Sequence, residues 1–151
     1  GGRAGGFVGE RRGGGLAAEV AQAEDAVRSA DIIVTVTTST APLFDADWVR
    51  EGTHISSMGS DSVGKQELPP ALFGRAQLFC DLPEQSARIG EFQHAAPDAE
   101  KTAIGAVLTG AAVGRTADDA VTIFDSSGIS LQDLHMAQAV LDAIQTQDRS
   151  R

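Results

Sequence analysis

Asp61 and Lys65 stand four residues apart, a carboxylate that can relay a proton to an amine or imine beside a cation. Three short clusters of small polar residues surround that pair in sequence: Thr37-Thr38-Ser39-Thr40, Gly59-Ser60-Asp61 and Asp125-Ser126-Ser127-Gly128. Any one alone is ordinary turn chemistry, since Gly, Ser, Thr and Asp favour turns for local reasons. Each, however, follows a run that reads as a β-strand, and open α/β sheets bind ligands in the crevice beyond the carboxyl ends of their strands. The coincidence of the three on one predicted edge makes the functional case. Residue type leaves two roles open for Asp61, a proton relay or a cap on the following turn with Lys65 in solvent. Aspartate is so common in caps that the second outweighs the first on this ground alone. Glu67, close to the same loop, reads as a surface charge.

Other reactive residue types have less behind them. His54, His94 and His135 lie 40 or more residues apart with no partner at metal-ligand spacing, so no metal site is expected and the three read as structural or exposed. Cys80 sits in an apolar run without a Cys-x-x-Cys and reads as a small core residue. Gly64-Lys65 lacks the upstream glycine and the following Ser or Thr of a phosphate loop, and no G-x-G-x-x-G follows a predicted strand. Trp48 reads as a packing anchor.

The elements that must position these residues alternate. Val20, Ala23 and Val27 predict a helix of about three turns beginning near Leu16. Ile32-Ile33-Val34-Thr35-Val36-Thr37 is β-branched throughout, as in a strand of a parallel sheet covered on both faces. A short helical stretch over 45–49, a strand over His54 to Met58, a short helix from Pro69-Pro70 and a strand over Gln77 to Cys80 follow. Ile104, Val107 and Leu108 predict an amphipathic helix from Glu100 to Thr109 capped by Gly110. Val121 to Phe124 is a strand, and Leu131, Leu134, Ala137, Leu141 and Ile144 mark a closing helix of about four turns. The succession predicts an α/β fold, a parallel sheet with flanking helices and a C-terminal helix. The organisation is a Gly/Arg-rich tail over 1–15, read as disordered, a main unit over 16–129, and the closing helix and tail over 130–151.

With 151 residues and 42% hydrophobic content, the chain holds one domain's worth of core material. Its formal charge of −9 excludes the basic footprint that nucleic acid or anionic lipid needs. No apolar run reaches membrane-spanning length. With Cys80 as the single cysteine, no intrachain disulfide is available, and a soluble protein of the cytoplasm is expected.

The sequence resembles the ornithine cyclodeaminase and μ-crystallin family of NAD(P)-dependent enzymes. The resemblance is carried by Ala30 to Thr38, by Gly59-Ser60-Asp61-Ser62-Val63-Gly64-Lys65-Gln66-Glu67-Leu68, and by Gly110 through Gly114-Arg115 into Ile123 to Gly128 and Leu131-Gln132-Asp133. It covers about Leu16 to Ile144 and implies a C-terminal portion of such a protein, with the later strands of a partial Rossmann-like domain. It implies that Asp61 is the catalytic aspartate, which reverses the weighting above. Lys65 would lie near the cofactor. Thr37, the Met58-Gly59-Ser60 backbone and Ser126 would line the nicotinamide and ribose side of an NAD or NADP site. In ornithine cyclodeaminases, hydride passes from the substrate α-carbon to NAD⁺, the imine is attacked by the terminal amine, ammonia leaves and the cyclic imine is reduced to proline. Relatives use half of this chemistry, as imine or ketimine reductases or amino-acid dehydrogenases, and a non-catalytic binding module is a further alternative. The family's first Rossmann strand, its glycine-rich turn and its substrate-carboxylate residues would lie upstream of Leu16, where a glycine-arginine tail stands. The chain alone is therefore expected to bind cofactor poorly and to be inactive. Val63 occupies a position where relatives often carry proline. Family members dimerise, so a homodimer is expected of the full-length protein.

Overall fold

The structure, a computed structural model, describes residues 19–148. The tail over 1–15 and the start of the first predicted helix lie outside the described residues. Within them the first helix, α1, is Ala23–Ser29, shorter than the pattern from Leu16 suggests. It buries Val27 and leaves Val20 exposed.

Five strands form one sheet: β1 (Ile32–Thr35), β2 (His54–Ser57), β3 (Ala76–Cys80), β4 (Lys101–Ala103) and β5 (Val121–Asp125). All pairings are parallel, in the order β1-β2-β5-β3-β4. The last strand is thus inserted between the second and third, at the centre. Parallel neighbours need crossovers. Those here use single 3₁₀ turns at Ala46–Trp48 and Pro70–Leu72, helix α2 (Pro83–Ile89) and helix α3 (Ile104–Leu108).

One face of the sheet carries the core. Ile33, Ile55, Ile123 and Leu78, paired across the register, meet Phe44, Val49, Leu68, Leu72, Phe73 and Phe92. Phe73 and Phe92 pack edge to face, with ring centroids 5.7 Å apart. Trp48 packs against this cluster and Cys80 is fully buried, as their sequence context suggests.

Four elements differ from expectation. The β-branched run from Ile32 predicts a strand covered on both faces. β1 is instead an edge strand, with Ile33 and Thr35 buried while Ile32, Val34 and Val36 are 62–72% exposed. Residues 101–103 form β4 rather than the first turn of the helix, which starts at Ile104. A strand of three residues has too little alternation to be read from sequence. Helix α2 is likewise absent from the sequence reading, although Pro83 occupies its first turn. Gly110 ends α3 with φ +77°, the left-handed conformation that suits a glycine cap. The closing helix, α4 (Ser130–Asp148), is longer than predicted, and Leu131, Leu134, Met136, Val140, Leu141 and Ile144 are each more than half exposed. No helix among the described residues is long and apolar enough to cross a membrane.

The central strand ends on a buried acid. Asp125 accepts the Ser86 hydroxyl of α2 and, at 3.0 Å, the Glu91 N–H. This contact requires Gly90, because a Cβ there would fall 2.1 Å from Asp125 Oδ2 and 2.8 Å from Ser86 Cα. Gly90→Ala is therefore expected to destabilise the chain by about 1–3 kcal/mol, the usual cost of overpacking. It should appear as a lower urea midpoint at unchanged slope.

Burial pushes the Asp125 carboxyl up to about 6, against the hydrogen bonds from Ser86 and Glu91, with the charges of Glu91 and Asp81 adding to the rise. An unfolded aspartate releases its proton near about 3.9. Between those values the folded chain holds the extra proton, so this group's contribution to stability is fully present below about pH 4 and lost as pH rises through about 6. The loss is on the order of 3 kcal/mol. Asp125→Asn keeps an acceptor for the Glu91 N–H and should abolish that slope when unfolding free energy is measured from pH 4 to 7. An unaltered slope in the variant would refute the assignment.

Candidate functional site at the carboxyl edge of the sheet

Thr35, Ser57, Asp125 and Cys80 lie side by side in register at the ends of β1, β2, β5 and β3. The Met58 N–H still donates to the Thr35 carbonyl at 2.8 Å, and the Ser126 N–H to the Ser57 carbonyl at 3.0 Å. Beyond that row the loops diverge. The fold thus brings Thr37, Met58-Gly59-Ser60 with Asp61, and Ser126 to one edge, on three adjacent strands.

What holds these loops is a pair of carboxylates inside the protein. Glu67, read from sequence as a surface charge, is fully buried. It accepts the Thr35 hydroxyl at 2.7 Å, the Thr37 N–H at 2.5 Å, the Gly59 N–H at 3.0 Å and the Ser57 hydroxyl at 3.2 Å. Burial pushes its carboxyl up, but the hydrogen bonds from Thr35, Thr37 and Gly59 win and hold it below the usual glutamate value. Gly59 is needed for this approach, since a Cβ would lie 2.4 Å from the Thr37 carbonyl oxygen.

Glu91, also fully buried, accepts the Ser60 hydroxyl at 2.5 Å, the Leu68 N–H at 2.7 Å and the Glu67 N–H at 3.0 Å. With Asp125 on the Glu91 N–H, the acids form a chain from the central strand to the β1 and β2 loops. The turn Glu91–His94 braces the same loop from outside. Gln93 accepts the Gly64 N–H at 2.8 Å and donates to the Ser62 carbonyl at 3.2 Å. His94 Nε2 is 2.8 Å from the Lys65 carbonyl oxygen, which only accepts, so that nitrogen carries the proton. His94 is structural, as expected.

Asp61 sits at the tip of the braced loop. Lys65 Nζ lies 2.6 Å from Asp61 Oδ1 and 3.3 Å from the Gly59 carbonyl oxygen. The ammonium holds the Asp61 carboxyl below its ordinary value, chiefly through that hydrogen bond. The Asp61 side chain is 63% exposed. The loop is fixed, and the acid at its tip is an ionised proton acceptor in water.

The other proposed contacts differ in character. Thr37 is exposed and its hydroxyl accepts the Ser39 N–H at 3.2 Å. Met58 is 43% exposed, whereas Gly59 and Ser60 are buried, so Ser60 turns its side chain inward. Ser126 is half-buried and donates to Asp81 at 2.8 Å. Cys80, beneath this row, is pushed up to about 11 by burial and by the charges of Asp125 and Asp81, which leaves it an unreactive thiol. His54 belongs to the opposite sheet face, where it meets the Thr122 hydroxyl at 2.8 Å and lines a cavity of about 390 Å³ with Arg115 and Phe124. Burial and then the Arg115 charge lower its pKa. Among the described residues no group of three or more His, Cys, Asp or Glu side chains is arranged to hold a metal ion.

Sequence reasoning missed Glu67, Glu91, Asp81 and the role of Asp125. A signal existed for Asp125, which directly follows the predicted strand Val121 to Phe124 and opens the third polar cluster. For Glu91 the sequence offers none, because its partners lie 23 to 34 residues away.

Solved structures share this fold. The iminosuccinate reductase of Paracoccus denitrificans, in complex with NAD⁺, superposes with a TM-score of 0.87 at 40% identity, covering 94% of this chain and 45% of that one. An archaeal alanine dehydrogenase dimer with bound NAD gives 0.86 at 36% identity, covering 95% and 47%. In sequence, the Paracoccus denitrificans iminosuccinate reductase is 44% identical over 133 residues and the Archaeoglobus fulgidus alanine dehydrogenase 40% identical over 135. An Agrobacterium fabrum ornithine cyclodeaminase is 35% identical over 130 residues. Each of these alignments takes in 85% of this chain, which spans 37–41% of the length of these relatives. The ornithine cyclodeaminase/mu-crystallin family profile matches residues 12–148, nearly the whole sequence, and the chain belongs to that family.

Proposed function

We propose that this chain forms the nicotinamide side of an NAD(P)-dependent active site, and that the protein moves a hydride and a proton at the α-carbon and nitrogen of an amino acid or its imine. The observation that carries the reading is Asp61, an ionised carboxylate on a loop fixed by buried acids, at the strand edge that also bears Thr37 and Ser126. The exposed hydroxyl of Thr37, the backbone at Met58 and the half-buried Ser126 suit a nicotinamide ring and its sugar. When bound, the nicotinamide accepts or supplies the hydride.

The chain's own part is proton transfer and positioning. In the oxidative direction the substrate amine must shed a proton from nitrogen as its α C–H bond breaks, and Asp61 is the acceptor on this edge. In the reductive direction the same carboxyl, protonated, returns the proton to nitrogen. Lys65 fixes which oxygen of Asp61 is engaged and favours the ionised form between turnovers. Glu67 and Glu91 take a positioning part, because their oxygens are occupied by loop donors.

A cyclodeaminase acting on ornithine is one member of this class. A second reading, an imine reductase or amino-acid dehydrogenase that stops at the reversible C–N redox step, is favoured by identities of 44% and 40% to such enzymes against 35% to a cyclodeaminase. We further infer a homodimeric, cytoplasmic protein, supported by the dimeric archaeal relative and the single buried thiol.

Titration of the purified chain with NAD⁺, NADH, NADP⁺ and NADPH, followed by nicotinamide fluorescence, is expected to show weak binding of at least one. Silence with all four would set the reading aside for this chain. In the whole protein, Asp61→Asn should keep cofactor affinity within about threefold and lower turnover by about 10²–10⁴, the range of a lost general acid–base. Loss of affinity along with turnover would identify Asp61 as a structural residue instead.

A further inference from the structure

We propose that Asp81 sets the sense of hydrogen bonding at Ser126, making this serine an acceptor only and thereby selecting ligands that present a hydrogen-bond donor to it. The inference rests on the dinucleotide reading above and adds a specificity-determining position to it.

A serine hydroxyl has one proton and two lone pairs. Ser126 Oγ lies 2.8 Å from Asp81 Oδ2, and a carboxylate oxygen can only accept, so the proton is directed inward. The other oxygen, Oδ1, accepts the Gln132 side-chain amide of α4 at 2.9 Å. Both Asp81 oxygens are therefore engaged, and Asp81 is only 9% exposed. Ser126 is half-buried at the carboxyl end of the central strand, beside Met58, in the row of residues that leaves the sheet. Its two lone pairs are what it can offer outward.

The neighbouring hydroxyls sharpen the point. Ser60 and Thr35 also give their protons to acids, Glu91 and Glu67, but both are buried and present nothing to a ligand. Ser127 is buried and accepts from Gln85 Nε2 at 3.1 Å. Ser126 thus combines a committed proton with access. The donors a nicotinamide nucleoside could bring to it are the carboxamide N–H and the ribose hydroxyls. A group that only accepts would face a lone pair there and lose its own bond to water.

Asp81 is a positioning residue, acting through Ser126, and Asp81→Asn tests it with little change of shape. The asparagine oxygen can still accept from Gln132 while its amide nitrogen donates to Ser126, releasing the serine proton outward. Calorimetric dissociation constants would be compared for NADH, its 3-acetylpyridine analogue, which replaces the amide donor by a methyl ketone, and an analogue lacking the 2′-hydroxyl on the nicotinamide ribose. The unaltered chain should bind one of the two analogues about tenfold more weakly than NADH, the usual scale for an unmet polar partner. In Asp81→Asn, and independently in Ser126→Ala, that ratio should fall to within about twofold.

Which analogue is discriminated identifies the donor. Equal binding of all three ligands by the unaltered chain overturns the proposal while leaving the cofactor reading intact, and so does a ratio that survives in folded Asp81→Asn or in Ser126→Ala. Failure of NADH and the oxidised and phosphorylated dinucleotides to bind overturns the cofactor reading and this inference with it. Should Asp81→Asn not fold, Ser126→Ala carries the same test.

Discussion

The carboxyl edge of the sheet depends on two glutamates with no water around them. A buried carboxylate is costly unless its oxygens are filled by hydrogen bonds. Glu67 and Glu91 meet that condition with the backbone amides and hydroxyls of the loops they hold. The dependence is mutual. Amides at Thr37, Gly59 and Leu68 lie where strands have ended and no neighbouring strand can accept from them, and the glutamates supply the acceptors. Removing either acid would leave several buried donors unmet at once, each at about 1–3 kcal/mol. The loops therefore have one conformation because the acids have one set of partners.

The same logic orders the sheet. β5 enters last in the chain yet sits in the middle, and Asp125 at its end reaches the N–H of Glu91, whose side chain reaches the N–H of Glu67. Each acid takes the backbone proton of the next. None of the three is in an ion pair among the described residues, and their oxygens meet N–H and O–H donors instead. Asp61 differs in kind. Its partner is an ammonium, its side chain is in water, and its proton is free to move.

Much of this was legible in the sequence where the information is local. The strands at Ile32, His54, Gln77 and Val121 announce themselves by β-branched and apolar runs, and the polar clusters after them fall on one edge because all pairings are parallel. Asp61 and Lys65 are four apart and meet as their spacing suggests. What was illegible is non-local. Glu67 follows Lys65 and Gln66 in an otherwise polar stretch, and nothing in that string says that Thr35 and Thr37, about 30 residues earlier, will enclose it. β1 misled for the opposite reason. Its composition reports a strand made to be covered on both faces, while in this chain the face carrying Ile32, Val34 and Val36 has no cover.

The contrast between Asp61 and the buried acids bears on how the edge would work. In water, with Lys65 at 2.6 Å, Asp61 is a weak base whose carboxyl stays ionised. A ligand laid across Thr37, Met58 and Ser126 would exclude water from this loop, and desolvation raises a carboxyl's affinity for protons. Lys65 opposes that rise, since its own charge is stabilised by the ionised form. In the proposed site the two effects would place the acid between extremes, able to take a proton from a substrate nitrogen and to surrender it again. This tuning needs Asp61 held still while its surroundings dry, and a loop free to retreat into solvent would defeat it. Glu91, through Ser60, and Glu67, through Gly59, are what prevent the retreat.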